Sequence, residues 1–183
     1  PKDIKEKKEK VELVQGAYDK STDFAEVFEK SCQGKLKEIS FSPGKPVKVM
    51  LFPKAKDIED AFRIVGKPAA FEFKYDGFRM MVNKDETGEI SIFTRRLDNV
   101  SKQFPDVVDF VKKNISGKSF ILDAEAVGYN PKTKTYHPFQ AMSQRIKRKY
   151  DIERLVKELP IELTIFDVLF YNGKSFINEP FIT

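Results

Sequence analysis

The sequence predicts an α+β fold preceded by a short helical segment, and three observations carry that prediction. Stretches with the two-residue alternation of strands and stretches with helix caps follow one another irregularly, without a β-α-β period. Asp76-Gly77 joins two alternating stretches, FEFK and FRMMV, in the manner of a hairpin turn. Residues 1–40 carry dense mixed charge and little apolar material, as a solvated helical segment does.

Taken in order, residues 2–19 read as a charged helix with Val11, Leu13 and Val14 as its limited apolar material. Asp23-Phe24-Ala25-Glu26 has capping-box spacing and proposes a second, short helix. This segment is expected to lean on something else, either the rest of a helical domain or the body of this one. Residues 35–47, with Ser42-Pro43-Gly44-Lys45-Pro46, read as a linker. Asp57 caps a helix through Val65 that stops at Gly66-Lys67-Pro68. The strand pair around Lys74 follows, then a strand over 90–94 and a helix opened by Pro105 that closes near 114–117. A strand over 120–127, a helix over 151–159 ended by Pro160, and a strand over 161–171 ended by Asn172-Gly173 complete the pattern. The last strand is apolar on both of its faces, which predicts burial on both sides.

Composition narrows the function. The chain has 183 residues, is 40% hydrophobic and is long enough to bury a core. No stretch is apolar enough to cross a bilayer. One cysteine, Cys32, and one histidine, His137, exclude an internal disulfide and a Cys/His zinc site, and suit a reducing intracellular compartment. A net charge of +5 suits a polyanionic partner and equally an ordinary mixed surface. There is no glycine-rich phosphate loop. Pro1 in place of Met, and a last residue that follows directly on a turn, lead us to expect a piece of a longer protein.

Within FEFKYDGFR, alternation puts Phe71 and Phe73 on a core face, and Glu72 and Lys74 on a cleft face with Arg79 close by. A nucleophilic lysine needs burial or neighbouring cations to release its proton, and Lys74 has such neighbours. A solvated hairpin lysine fits the same four residues. Asp123 and Glu125 share one face of an otherwise apolar strand, consistent either with a surface ion pair or with a Mg²⁺ or ribose contact. Arg95 and Arg96 stand where a strand ends, as phosphate forks or as solvated cations. Arg145, Lys147, Arg148 and Lys149 form a basic run beside Tyr150, fit either for a nucleic-acid backbone or for a solvated helix face. Phe166, inside TIFDVLFYNG, fits a core position as well as a stacking platform.

Together, KYDGFR at 74–79, FTRRLDNVS at 93–101, ILDAEAV at 121–127 and LTIFDVLFYNG at 163–173 resemble, in order and spacing, nucleotidyltransferase motifs I, Ia, III and IIIa of ATP-dependent DNA ligases. The likeness runs over roughly residues 47–178. PFQAMSQRIKRKYDI is similar to the segment between motifs III and IIIa of archaeal members, and VELVQGAYDKSTDFAEVFE to the last helices of the DNA-binding domain that precedes the catalytic one. Tyr75 and Arg79 favour this branch, since capping enzymes rarely have the tyrosine and NAD-dependent ligases usually lack the arginine.

The resemblance implies an ATP-grasp-like nucleotidyltransferase domain built on antiparallel sheets with flanking helices. Residues 1–40 would be the end of a DNA-binding domain and residues 41–183 the adenylation domain. It implies that Lys74 takes AMP from ATP as a phosphoramidate, passes it to the 5′-phosphate of nicked double-stranded DNA, and that the strand is then sealed, in replication, repair and recombination. It implies Glu72 on the adenine amino group, Phe166 stacked on adenine, Arg79 and Arg95 around the ribose and phosphates, Glu125 as the motif III acid and Mg²⁺ contact, and Asp76 in later steps. Arg145, Lys147, Arg148 and Lys149 would serve DNA. A sliding clamp would bind through regions outside this chain, the protein would be a monomer, and its place intracellular, in the cytoplasm or nucleoid of an archaeon. The competing functions are an RNA ligase or capping-type enzyme, and a non-catalytic DNA-binding fragment.

The sequence departs from the family at Met80-Met81-Val82-Asn83, usually more polar and ending in histidine, and at Leu51-Phe52-Pro53. Nothing matches motifs IV and V or an OB-fold with motif VI, so residues 1–183 alone are expected to be inactive or very weak.

Overall fold

The computed structural model describes residues 3–148 and 150–181. The chain opens with two helices, α1 (Ile4–Ser21) and α2 (Phe24–Cys32). Asp3 caps α1 by accepting from the Glu6 N–H, and Thr22, in the left-handed region, closes it. Asp23 caps α2 through the Ala25 and Glu26 N–H groups, as its spacing predicts. Glu26 does not return to the Asp23 backbone; its carboxylate accepts from the Ser21 hydroxyl instead. Ala17, Val27, Leu36 and Ile39 give the pair a small core of its own.

That unit meets the rest of the chain through polar groups. Lys45 pairs with Glu26 at 2.9 Å and Asp23 at 3.4 Å, Lys48 pairs with Asp19 at 3.0 Å, and the Thr22 hydroxyl donates to the Pro46 carbonyl at 2.6 Å. Between those lysines, Val47 turns the other way and is buried against the sheet. Of the two supports expected for them, the helices lean on the body, through ion pairs around one apolar anchor.

Beyond α3 (Ile58–Val65), capped by Asp57 and ended at Gly66, comes one antiparallel sheet. Its strands are β1 (Phe78–Lys84), β2 (Ile90–Thr94), β3 (Phe120–Asn130), β4 (Thr135–His137), β5 (Ile161–Tyr171) and β6 (Lys174–Ser175). They run in the order β2-β1-β3-β5-β6, with β4 also on β3. The remaining helices are α4 (Pro105–Asn114), α5 (Phe139–Lys147) and α6 (Ile152–Glu158). An antiparallel sheet with flanking helices agrees with the predicted fold class.

Alternation divides the sheet into two faces. Phe78, Met80, Val82, Ile92 and Leu122 bury one face against Phe104, Val107 and Val111 of the α4 region and Met142 of α5. Gly128 lets α5 approach, because a Cβ there would stand 2.6 Å from the Met142 sulfur. The other face changes character along its length. Met81, Phe93 and Ile121 lie under the Val47 segment, and next to them, on the same face, come Arg79, Asp123 and Glu125.

Three expectations need correction. Residues 71–75 form no ladder, and Phe71 and Phe73 are 83% and 87% exposed. The reason is topological: β1 begins only at Phe78, and both of its edges are occupied by β2 and β3. Second, β5 is half-exposed rather than buried on both sides, because β6 covers it only at Phe170 and Tyr171. Third, Arg145 is no surface cation. It is fully buried, paired with Asp106, donates to the carbonyls of Gln103 and Leu159 at 3.2 and 3.1 Å, and lies 4.6 Å from the Phe104 ring centre. A guanidinium can be buried when its donors are met in this way.

Candidate active site

The segment before β1 and the polar half of the sheet enclose a cleft of about 630 Å³. Glu72, Lys74 and Tyr75 line one wall; Glu125, Thr164 and Phe166 line the other. The bend at Asp76-Gly77 sets their separation. A Cβ on Gly77 would fall 2.3 Å from the Ala126 carbonyl oxygen and 3.0 Å from Cγ of Glu125, so only glycine lets the bend rest on β3. The Gly77 N–H also lies near enough to the Glu125 carboxylate to favour its charged form. The lysine-bearing segment is therefore seated on the strand that carries the acid.

Burial pushes the Glu125 carboxyl up, against the pull of Lys74, the Gly77 N–H and Arg79, while Asp123 adds to the rise. Lys74 itself is exposed, as are Glu72 and Asp76.

Arg79 sits opposite Glu125 in the β1–β3 register but grips the diagonal residue, Asp123. Nε bonds Oδ1 at 2.7 Å and the second nitrogen bonds Oδ2, a bidentate fork. Asp123 is 1% exposed. That hydrogen bond, foremost, and the charges of Asp123, Glu125 and Asp167 hold Arg79 firmly protonated against its partial burial; burial in turn pushes Asp123 up against the Arg79 fork. Arg79 is half-buried, with its guanidinium carbon 5.5 Å from the Phe166 ring centre.

Phe166 reaches the cleft through an irregularity. The β3–β5 register shifts between Asp123 and Ala124, so that Asp167 faces Asp123, Ile165 faces Ala124, and Phe166 has no partner on β3. A bulge of this kind re-aims a side chain.

The structure thus gathers Glu72, Lys74, Glu125 and Phe166 around one cleft, with Arg79 behind Phe166. Arg95 does not line it. It is exposed in the turn after β2, where Leu97 N–H meets the Thr94 carbonyl and Thr94 N–H the Asp98 carbonyl; the Met80–Thr94 pairing puts that turn at the Arg79 end of β1. Lys147 and Arg148 are exposed away from the cleft lining, and Lys149 lies outside the described residues. Asp123 as the anchor of Arg79, and Thr164 and Tyr75 on the cleft, were not singled out from sequence. The shared face of Asp123 and Glu125 was the available signal, but it names no partner strand.

Residues 49–183 match the family model described as the ATP dependent DNA ligase domain. The chain belongs to that family. Among curated relatives of this ligase-domain chain, the DNA ligase of Nanoarchaeum equitans is 44% identical over 174 residues, covering 93% of this chain and 30% of its own length. The DNA ligase of Thermococcus onnurineus is 38% identical over 179 residues, covering 95% and 31%. The chain therefore spans less than a third of these relatives. The ligase domain of M. tuberculosis LigD superposes with a TM-score of 0.45 at 21% identity, over 60% of this chain and 32% of that one. Among the described residues, no helix is long and apolar enough to cross a membrane.

Proposed function

We propose that this chain is the adenylation domain of an ATP-dependent DNA ligase. Residues 41–183 are its catalytic part, and residues 1–40 the end of a DNA-binding domain. Lys74 attacks the α-phosphorus of ATP through Nζ, and the nitrogen gives up a proton to solvent. A P–N bond forms, the P–O bond to pyrophosphate breaks, and pyrophosphate leaves with the electron pair. The AMP then passes to the 5′-phosphate of a nick, and the 3′-hydroxyl displaces it.

The observation that carries this proposal is the seating of Gly77 on β3, which ties Lys74 and Glu125 to opposite walls of one cleft. Around it, Phe166 offers a ring face and Glu72 an acceptor for the adenine amino group. Arg79, fixed by Asp123, addresses the ribose and phosphates, and Arg95 approaches the phosphates from the neighbouring turn. Asp76, at the exposed bend, acts after lysine adenylation.

The donor set fits Mg²⁺ only as a shared site. Asp123 is committed to Arg79, and no group of three or more acid, His or Cys ligands occurs among the described residues. Mg²⁺ keeps several waters and binds readily through one carboxylate plus substrate phosphates, a role open to Glu125. Bound there, it would supply Lewis-acid neutralisation of phosphate charge.

The test uses the longer protein. Incubated with α-labelled ATP and Mg²⁺, it should acquire covalent label and seal nicked duplex, and Lys74→Ala should abolish both. Sealing by Lys74→Ala would overturn the proposal.

A further inference from the structure

Between Glu125 and Asp151 the chain has no acidic residue, although 28 of its 183 residues are Asp or Glu. The same stretch contains Lys132, Lys134, Arg145, Lys147, Arg148 and Lys149. Arg145 is spent on Asp106, but Lys132 and Lys134 are exposed at the tip of the β3–β4 hairpin. No ion pair among the described residues involves them, in contrast to α1, where Lys10 and Lys8 each face an acid four residues away.

The hairpin is built to hold its shape. The Asn130 side-chain oxygen accepts from the Lys132 and Thr133 N–H groups at 3.0 and 3.3 Å, and the Asn130 carbonyl from Lys134 N–H at 2.8 Å. Its base continues the cleft. Alternation along β3 puts Tyr129 on the same face as Glu125, and β4 sets Tyr136 opposite Tyr129 with ring centres 5.2 Å apart. The Tyr136 hydroxyl donates to Glu162 at 3.0 Å, two residues before the cleft residue Thr164. That bond, chiefly, raises the Tyr136 phenol, and Tyr75 on the cleft wall is near enough to add to the effect. The ring is tethered at its hydroxyl yet 58% exposed.

We propose that the β3–β4 hairpin is a docking surface for a polynucleotide strand running past the cleft, with Tyr136 stacking on a base or sugar and Lys132 and Lys134 meeting its phosphates. Exposed aromatics interleaved with unpaired cations are what a sugar–phosphate strand recognises. The surface rests on the ligase reading for its substrate, and it replaces Arg145 as the polar contact that the basic stretch offers.

The longer protein tests it, with Lys132→Ala/Lys134→Ala, Tyr136→Ala and Tyr136→Phe, by fluorescence anisotropy on labelled nicked duplex across a salt series and by covalent labelling with ATP. The double variant should weaken nick binding and lower the slope of log K against log salt by about 1 to 2. Tyr136→Ala should lose roughly tenfold in affinity, and Tyr136→Phe, which keeps the ring, should stay near wild type. Lysine labelling should be unchanged in all three. Unchanged nick affinity and salt slope in the double variant would overturn the surface, as would labelling that falls in parallel with binding, since the hairpin would then serve the ATP phosphates. Hairpin-dependent nick binding without any lysine label keeps the surface and removes the ligase reading; labelling with hairpin-independent binding does the reverse.

Discussion

Arg79 grips Asp123 across the β1–β3 boundary with two guanidinium nitrogens, while its direct register partner, Glu125, is left to face Lys74 across the cleft. One cation thereby sorts two acids on the same strand face. Asp123 becomes scaffold and Glu125 stays available for chemistry.

Asp123→Asn should therefore damage the site without touching the cleft lining. The guanidinium keeps its partial burial but loses its counter-charge, a change that costs about 3 kcal/mol or more when such a pair is broken. Chemical denaturation should show that loss, and covalent labelling should require more ATP. An Asp123→Asn protein equal to wild type in both measurements would show that Arg79 needs no anchor.

Gly77→Ala introduces a methyl group where the Ala126 carbonyl stands 2.3 Å away. The bend must lift off β3, carrying Lys74 with it. Misplacement of a reacting group by about 1 Å can cost on the order of 100-fold in rate. Single-turnover lysine labelling should fall by that order, while thermal melting shifts only as far as a local overpacking of about 1–3 kcal/mol predicts.

Arg145 and Arg148 separate burial from charge. Removing Arg145 leaves Asp106 and two carbonyls without their donors, so Arg145→Ala should cost about 3–5 kcal/mol in a urea titration. Arg148→Ala, at an exposed position, should change stability by less than about 0.5 kcal/mol. The reverse ranking would show that Asp106 and the two carbonyls do not hold Arg145 in place.

The contact between the helical unit and the sheet should depend on pH and salt. Hydrogen bonds, to the Glu26 N–H for Asp23 and to the Ser21 hydroxyl for Glu26, hold those carboxyls low with help from Lys45; Glu26, chiefly, holds Lys45 high. Lowered acids contribute above their unfolded range, near pH 4, and lose that contribution as pH falls through their folded values. A raised lysine contributes below about pH 10.5 and loses it as pH rises through its folded value. Docking should thus be firmest between those limits. Limited proteolysis within residues 40–46 should accelerate toward pH 3–4, in high salt, and in Lys45→Gln; rates flat with pH and salt would show that Val47 alone holds the unit.

Much of this architecture is legible in the sequence. Alternation delimits residues 90–94 and 161–171 as strands, and β2 and β5 keep those bounds. Asp57, Pro105 and Asp23 announced three helix starts through local hydrogen-bonding logic, which needs no knowledge of the rest of the chain. What failed was non-local. Phe71 and Phe73 have strand alternation but no neighbouring strand among the described residues, and alternation cannot report a missing neighbour. Arg145 reads as surface charge until α4 presents Asp106 from 39 positions away. In the site, Glu72, Lys74, Glu125 and Phe166 could be named through motif resemblance, whereas the Asp123 anchor emerged only once β1 and β3 were paired.

Strand β5 contains two residues that β3 does not match, Phe166 and Leu169, at register shifts only a few positions apart. The first offsets the alternation by one and the second restores it, so the inside and outside of the strand agree again beyond them. Phe166 is thus held in the cleft as a surplus residue of a strand longer than its partner. Substitution can change what stands there, whereas deletion of Phe166 would close the bulge and leave each remaining β5 residue opposite its present β3 partner. Loss of one residue in this short stretch would therefore cost the cleft its ring while sparing the ladder, a constraint on chain length separate from any requirement on side-chain identity.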